Sequence, residues 1–163
     1  MQSRDIALRA SFTALVFIAT AVIPPIPISA TGGYLNFGET VIYACALLFG
    51  GITGGFAGGV GAAMADIFLG FGSFAPITFI VKGIEGYVVG TIGMGKSIRT
   101  QAIAVAVGGI ILVSGYFIFE VALFGFPAAV TEVPFNVLQA IVGLVISLTV
   151  VRTIRSQRIL ARD

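Results

Sequence analysis

The chain has 163 residues, of which 58% are hydrophobic and 10% charged, with a formal net charge of +2. A soluble domain carries roughly 25% charged residues, so this chain has too little polar surface to cover a soluble globule. It contains no His and a single Cys. That removes the usual general base and the commonest metal ligand, and it excludes an internal disulfide.

Uncharged runs cover residues 10–38, 40–65, 100–119 and 133–151, and each holds about 20 residues of membrane-spanning helix. The expected fold is an all-α integral membrane protein, one domain over residues 1–163, built as a bundle of six transmembrane helices. The first span covers 6–23 and stops at Pro24-Pro25, because proline breaks the helix ladder. Arg4, Arg9 and the weak small-residue site Ser29-Ala30 also fit a signal peptide. The same arginines serve equally well as the inner flank of a retained helix, which is the preferred reading. Residues 24–38 are too rich in Pro and Gly for a helix. The second span, 39–49, is short and is expected to tilt or to be partly buried by its neighbours. Cys45 lies inside it and reads as packing.

The third span, 52–69, is built with the second from glycine pairs at Gly50-Gly51, Gly54-Gly55 and Gly58-Gly59. Glycines four apart make a smooth face for close helix approach. Residues 70–73 turn the chain into the fourth span, 75–93. Residues 94–100 form a polar loop. The fifth span covers 101–123, residues 125–134 are a loop, and the sixth span covers 135–151 before a basic tail.

Six spans put both termini on one side. Eight of the nine bases (all but Lys82) then fall on that side: Arg4, Arg9, Lys96, Arg99, Arg152, Arg155, Arg158 and Arg162. By the positive-inside rule both termini are cytoplasmic. The Arg-rich tail suits orientation and anionic membrane lipid rather than nucleic acid.

The fourth span carries Lys82-Gly83-Ile84-Glu85-Gly86 in an apolar run. At 1.5 Å per residue Lys82 lies roughly 10 Å, and Glu85 roughly 15 Å, below the outer boundary. Charges at that depth are costly and mark function. Three residues apart, the two share a helix face and can pair with each other, with Asp66 as a third member. Asp66, Tyr116, Glu120, Asn136 and Gln139 fall at the outer ends of spans, and Asn36 and Glu39 border the outer loop. The polar groups converge in the outer half, over an inner half without charge. That is the pattern of a pocket open to the outside. Tyr34 and Phe37, around Asn36, suit stacking on a flat polar heterocycle; a plain interfacial aromatic belt explains them as well.

Gly90-Thr91-Ile92-Gly93-Met94-Gly95-Lys96-Ser97 fits the phosphate-binding loop G-x-x-x-x-G-K-[ST]. That motif needs a strand before it and an α/β sheet around it. At the cytoplasmic end of a spanning helix it has neither. No cofactor or metal is expected, and without a nucleophile–base set no enzyme activity. An autonomous ion-coupled carrier using Asp66, Lys82 and Glu85 is the alternative, but it calls for inverted repeats and broken helices.

Ala10 and Ala14 form A-x-x-x-A on the first span, a stripe that admits a close neighbour helix. Packing against the protein's own helices is the plainer reading of such a stripe. Taken with Tyr34-Leu35-Asn36-Phe37-Gly38, the glycine-paired third helix ending Ala65-Asp66, and Lys82-Gly83-Ile84-Glu85-Gly86, it resembles a known family. The chain is similar to the substrate-binding S component of energy-coupling factor (ECF) vitamin transporters, of the riboflavin and hydroxymethylpyrimidine type. The resemblance implies a subunit in a prokaryotic plasma membrane that captures one vitamin or precursor from outside. It implies docking, through Ala10 and Ala14, on a transmembrane coupling protein with two ATPases. It places the pocket in the outer loop and the outer ends of helices four to six.

Overall fold

The computed structural model describes residues 3–22, 26–27 and 34–160. The expected stop at Pro24-Pro25, the Ser29-Ala30 site and Arg162 lie outside the described residues, as does the side chain of Arg158. Six α-helices follow in order among them: α1 Ser3–Ala21, α2 Gly38–Phe49, α3 Gly51–Phe68, α4 Ala75–Gly93, α5 Ile98–Phe124 and α6 Phe126–Leu160. Two short strands, β1 Ile26–Pro27 and β2 Tyr34–Leu35, pair antiparallel before α2. This ribbon is the one addition to the all-helical expectation.

Helix α2 is the centre of the bundle. It packs against α1, α3, α4 and α6, and Ile42, Tyr43, Cys45, Ala46 and Leu47 are fully buried. Twelve residues of helix are about 18 Å long, less than the apolar core of a bilayer. A helix this short and this apolar is covered by other helices rather than by lipid. Among the described residues three helices, α4, α5 and α6, are long and apolar enough to cross a membrane. Ile67, Phe68, Ile110 and Ile118 are among many large apolar side chains on the outside. Such a belt is an aggregation hazard in water and the normal surface in lipid.

The glycines of α3 and α4 bring two backbones together. A Cβ built on Gly86 would lie 2.5 Å from the Gly54 carbonyl oxygen, and one on Gly58 2.7 Å from the Lys82 carbonyl oxygen. Overpacking of this kind costs about 1–3 kcal/mol. Gly86→Val should therefore lower the thermal unfolding midpoint clearly, while Gly72→Ala, with open space around it, should not. Equal midpoints in a detergent thermostability assay would remove the close-crossing account.

Two helix boundaries depart from expectation: α5 begins at Ile98, inside the expected polar loop, and α6 begins at Phe126. Residues 125–134 are not a loop: only Gly125 (φ 83°) breaks the chain, and α6 then runs through Pro134. Proline there removes one N–H, toward Val130, on the exposed side of α6, without ending the helix. The stretch that fits the phosphate-binding motif is the end of α4 and a turn, as expected of a spanning helix and not of a nucleotide site. Ser97 caps α5 by accepting from the Thr100 N–H at 3.3 Å, and Lys96 is exposed.

The described bases other than Lys82 gather at one end. Arg4 and Arg9 meet the ends of α2 and α4 and the start of α3. Arg155 donates to the Leu47 carbonyl at 3.3 Å and to the Lys96 carbonyl at 3.4 Å. With its amide oxygen turned toward α6, buried Gln101 accepts from Arg155 at 2.8 and 3.0 Å. This clasp ties α2, α5, α6 and the α4–α5 turn at the basic end.

Candidate functional site

The opposite end holds a pocket, and helical periodicity fills it. On α4, Thr78 and Lys82 are one turn apart and face it together. Tyr116 and Glu120 do so from α5, and Glu132, Asn136 and Gln139 share one stripe of α6. Asp66 enters from the last turn of α3, Thr20 from the last turn of α1, and Tyr34 and Asn36 from the segment before α2. Phe74 and Ala62 complete the wall. The space between these groups is about 40 Å³, room for a water or two rather than a heterocycle. Side chains must therefore part to admit a vitamin-sized molecule.

Two hydrogen bonds hold the segment before α2 over the pocket. The Tyr34 hydroxyl donates to Asp66 Oδ1 at 2.5 Å, and the Asn36 N–H donates to Gln139 Oε1 at 2.8 Å. Asn36 Oδ1 in turn accepts from the Gly38 N–H at 2.8 Å and turns the chain into α2. Burial, and then the Asp66 carboxylate beside it, hold the Tyr34 hydroxyl protonated well above the ordinary tyrosine range. Its ring lies 4.7 Å from that of Phe71. Across the pocket, Thr78 Oγ1 and the Tyr116 hydroxyl are 2.8 Å apart.

Lys82 is 3% exposed, and its ion-pair partner is Glu39 at the start of α2. The sequence pointed to Glu85 and Asp66 as its companions; the structure adds Glu39, which the spacing along α4 did not offer. Glu85 stands near Lys82 but faces the Tyr43 hydroxyl, deeper in the bundle. The ammonium also lies 5.4 Å from the Tyr116 ring centre, in reach of a cation–π contact. Of the residues predicted for the site, Tyr34, Asn36, Asp66, Lys82, Tyr116, Glu120, Asn136 and Gln139 line one pocket. Glu39 and Glu85 lie behind it, and Phe37 sits at the entrance to α2 outside the lining. Sequence reasoning missed Thr20, Thr78, Phe74 and Glu132. Thr78 had a signal: it precedes Lys82 by one helical turn. Glu132 was hidden by reading Pro134 as the end of a loop.

A wider groove of about 570 Å³ runs between α5 and α6. Its walls are Val, Ile and Leu side chains with small residues at Gly109 and Ala140. The Ser114 hydroxyl in it is already bonded to the Ile110 carbonyl at 2.6 Å. It offers apolar contact and no recognition chemistry. The polar pocket, by contrast, can hold a ligand by charge and hydrogen bonds. Several of its groups lack a partner: Asp66 Oδ2, Glu120 Oε2 and the Thr20 hydroxyl are buried without a hydrogen bond. Unpartnered buried polar atoms are costly unless something completes them.

Comparison with known proteins bears on what completes them. Residues 1–156 match the family described as ECF-type riboflavin transporter, S component. A thiamine precursor transporter, HmpT, from Lactococcus lactis subsp. cremoris is 30% identical over 145 residues, covering 88% of this chain and 83% of that protein. A protein of Pyrococcus woesei described as an uncharacterized protein in the gap 3' region is 41% identical over 128 residues, 78% of this chain and 86% of the other. With its apolar helices, its lipid-suited surface and a family match along nearly its whole length, this membrane protein belongs to the S-component family of ECF-type riboflavin transporters.

Proposed function

We propose that the chain is one membrane domain that spans a prokaryotic plasma membrane six times, with both termini in the cytoplasm. It captures a vitamin or vitamin precursor, riboflavin or a hydroxymethylpyrimidine-like heterocycle, from outside. A transmembrane coupling protein and two ATPases then drive release inside. The observation that carries this reading is the position of the pocket. Its polar groups close on one another at the end opposite Arg4, Arg9, Lys96 and Arg155. Bases mark the cytoplasmic side, so the pocket faces out.

The likeness to a thiamine precursor transporter supports a small heterocycle as substrate. The chain performs no covalent chemistry in this scheme; it binds, orients and hands over. Mass spectrometry of small molecules released from the purified, denatured protein tests it. One heterocyclic vitamin or precursor, near equimolar with protein, is the expected result. A preparation that releases none, and takes up none when supplied with both candidates, contradicts the proposal.

A further inference from the structure

The apolar groove between α5 and α6 ends on charge. Its walls include Ala106 and Ile110 on α5 and Ile141 and Leu144 on α6. The two helices meet at Gly109, where an added Cβ would lie 3.0 Å from the Ala140 Cβ. Each wall continues toward the basic end and finishes on an arginine. Arg99 precedes Ala106 by seven residues and Ile110 by eleven, and Arg152 follows Ile141 by eleven. Those separations are close to whole helical turns, so each arginine stands on the groove's face of its helix. Both are exposed. Counted from the Gly109–Ala140 contact, Arg99 lies about 15 Å and Arg152 about 18 Å toward the basic end, at 1.5 Å per residue. The two therefore stand at nearly one level, at the inward mouth. At the outward mouth, beyond Phe117 and Val133, the nearest charged residues along the chain are acids, Glu120 and Glu132.

We infer that this groove seats an acyl chain of an anionic phospholipid of the cytoplasmic leaflet, with the lipid phosphate held between Arg99 and Arg152. Basic sites between spanning helices on the cytoplasmic side bind phospholipid headgroups. A guanidinium matches phosphate with two parallel N–H donors. From the level of Arg99 a chain runs about 9 Å to Val105, where the groove opens, and about 15 Å to the Gly109–Ala140 contact. Half of a bilayer's hydrocarbon core is also about 15 Å, so the chain of one leaflet reaches that contact. An anionic head is attracted at the inward mouth and repelled by the acids at the outward one. A zwitterionic head brings its own ammonium to the arginines and gains less. The coupling protein is a poorer occupant. The α1 stripe of Ala10 and Ala14 belongs to a helix packed on α2 and α3, whereas α5 packs on α4 and α6, and α6 on α5 and α2. The inference goes beyond the proposed function: it rests on the cytoplasmic placing of the basic end and not on the vitamin.

The test is native mass spectrometry of the full chain from nonionic detergent supplied with equal amounts of dioleoyl phosphatidylglycerol and dioleoyl phosphatidylcholine. A base near an anionic lipid is worth about fivefold, so two arginines should give phosphatidylglycerol a preference of at least about tenfold. Arg99→Gln with Arg152→Gln should bring that ratio to about twofold or less, while Arg4→Gln, at the same end but on α1, should leave it. Ala106→Phe fills the groove and should cut retention of both lipids about tenfold or more. Retention should persist when the coupling protein and ATPases join. The wild-type ratio needs no variant, and a thermostability check confirms that each variant is folded. Equal retention of the two lipids overturns the inference, as does a preference that Arg4→Gln removes as fully as the double variant. Unchanged retention in folded Ala106→Phe overturns it too. So does a dimer that Ala106→Phe breaks, which seats a second copy in the groove, or lipid lost on joining the coupling protein, which assigns the groove to that partner. None of these four side chains lines the polar pocket, so vitamin binding by the same variants tests the S-component reading separately.

Discussion

Replacing Lys82 by methionine is expected to reduce both stability and ligand affinity, and the two losses can be separated. Lys82 and Glu39 are a buried ion pair, 3% and 1% exposed. Removing one partner leaves a lone carboxylate in the bundle, at a cost of about 3–5 kcal/mol. Replacing both by apolar or neutral groups of similar volume is often close to neutral. Lys82→Met combined with Glu39→Gln should therefore recover most of the unfolding midpoint. Affinity should stay down by more than about tenfold, because the ammonium also lines the pocket and a hydrogen bond to a charged group is worth about 1.5–3 kcal/mol. A folded double variant with wild-type affinity would reduce Lys82 to a structural role.

The second large effect is on transport alone. Ala10 and Ala14 are exposed on α1 and line an open groove of about 400 Å³, with Thr13, Phe17, Phe56 and Met64. None of the six lines the polar pocket. Small residues let a second helix come close, and a bulky side chain prevents it. Ala14→Leu, or Ala10→Leu, should bring vitamin uptake by the complete transporter down to background while titration shows unchanged vitamin binding by the isolated chain. Loss of binding, or wild-type uptake, would withdraw the docking assignment from this stripe.

Much of the architecture could be read from residues whose local chemistry decides the answer. Helix α4 begins and ends at the expected Ala75 and Gly93. Pro76 suits its first turn, and Gly95, at φ 73°, turns the chain just beyond its end. The convergence of polar groups at one end was equally legible, since helix lengths and the sidedness of bases fix depth. What could not be read was pairing between helices. The spacing of Lys82 and Glu85 pointed to each other, and the two stand near each other; the fold also brings Glu39 to Lys82 from α2, across 43 positions of sequence. No periodicity along α4 contains that partner. The start of α6 was lost for a different reason. Pro134 is a breaker in an isolated helix, but one missing N–H is a small deficit in a helix of 35 residues held by its neighbours. With that helix start went Glu132, which lines the pocket.

Reconstitution tests the central claim most directly: this chain binds its vitamin alone and moves it only with partners. Proteoliposomes holding the chain by itself should bind labelled hydroxymethylpyrimidine or riboflavin without accumulating it, under a proton or sodium gradient as well as without one. Adding the coupling protein, both ATPases and ATP should switch accumulation on. Gradient-driven accumulation by the chain alone would contradict the account and put an ion-coupled carrier in its place.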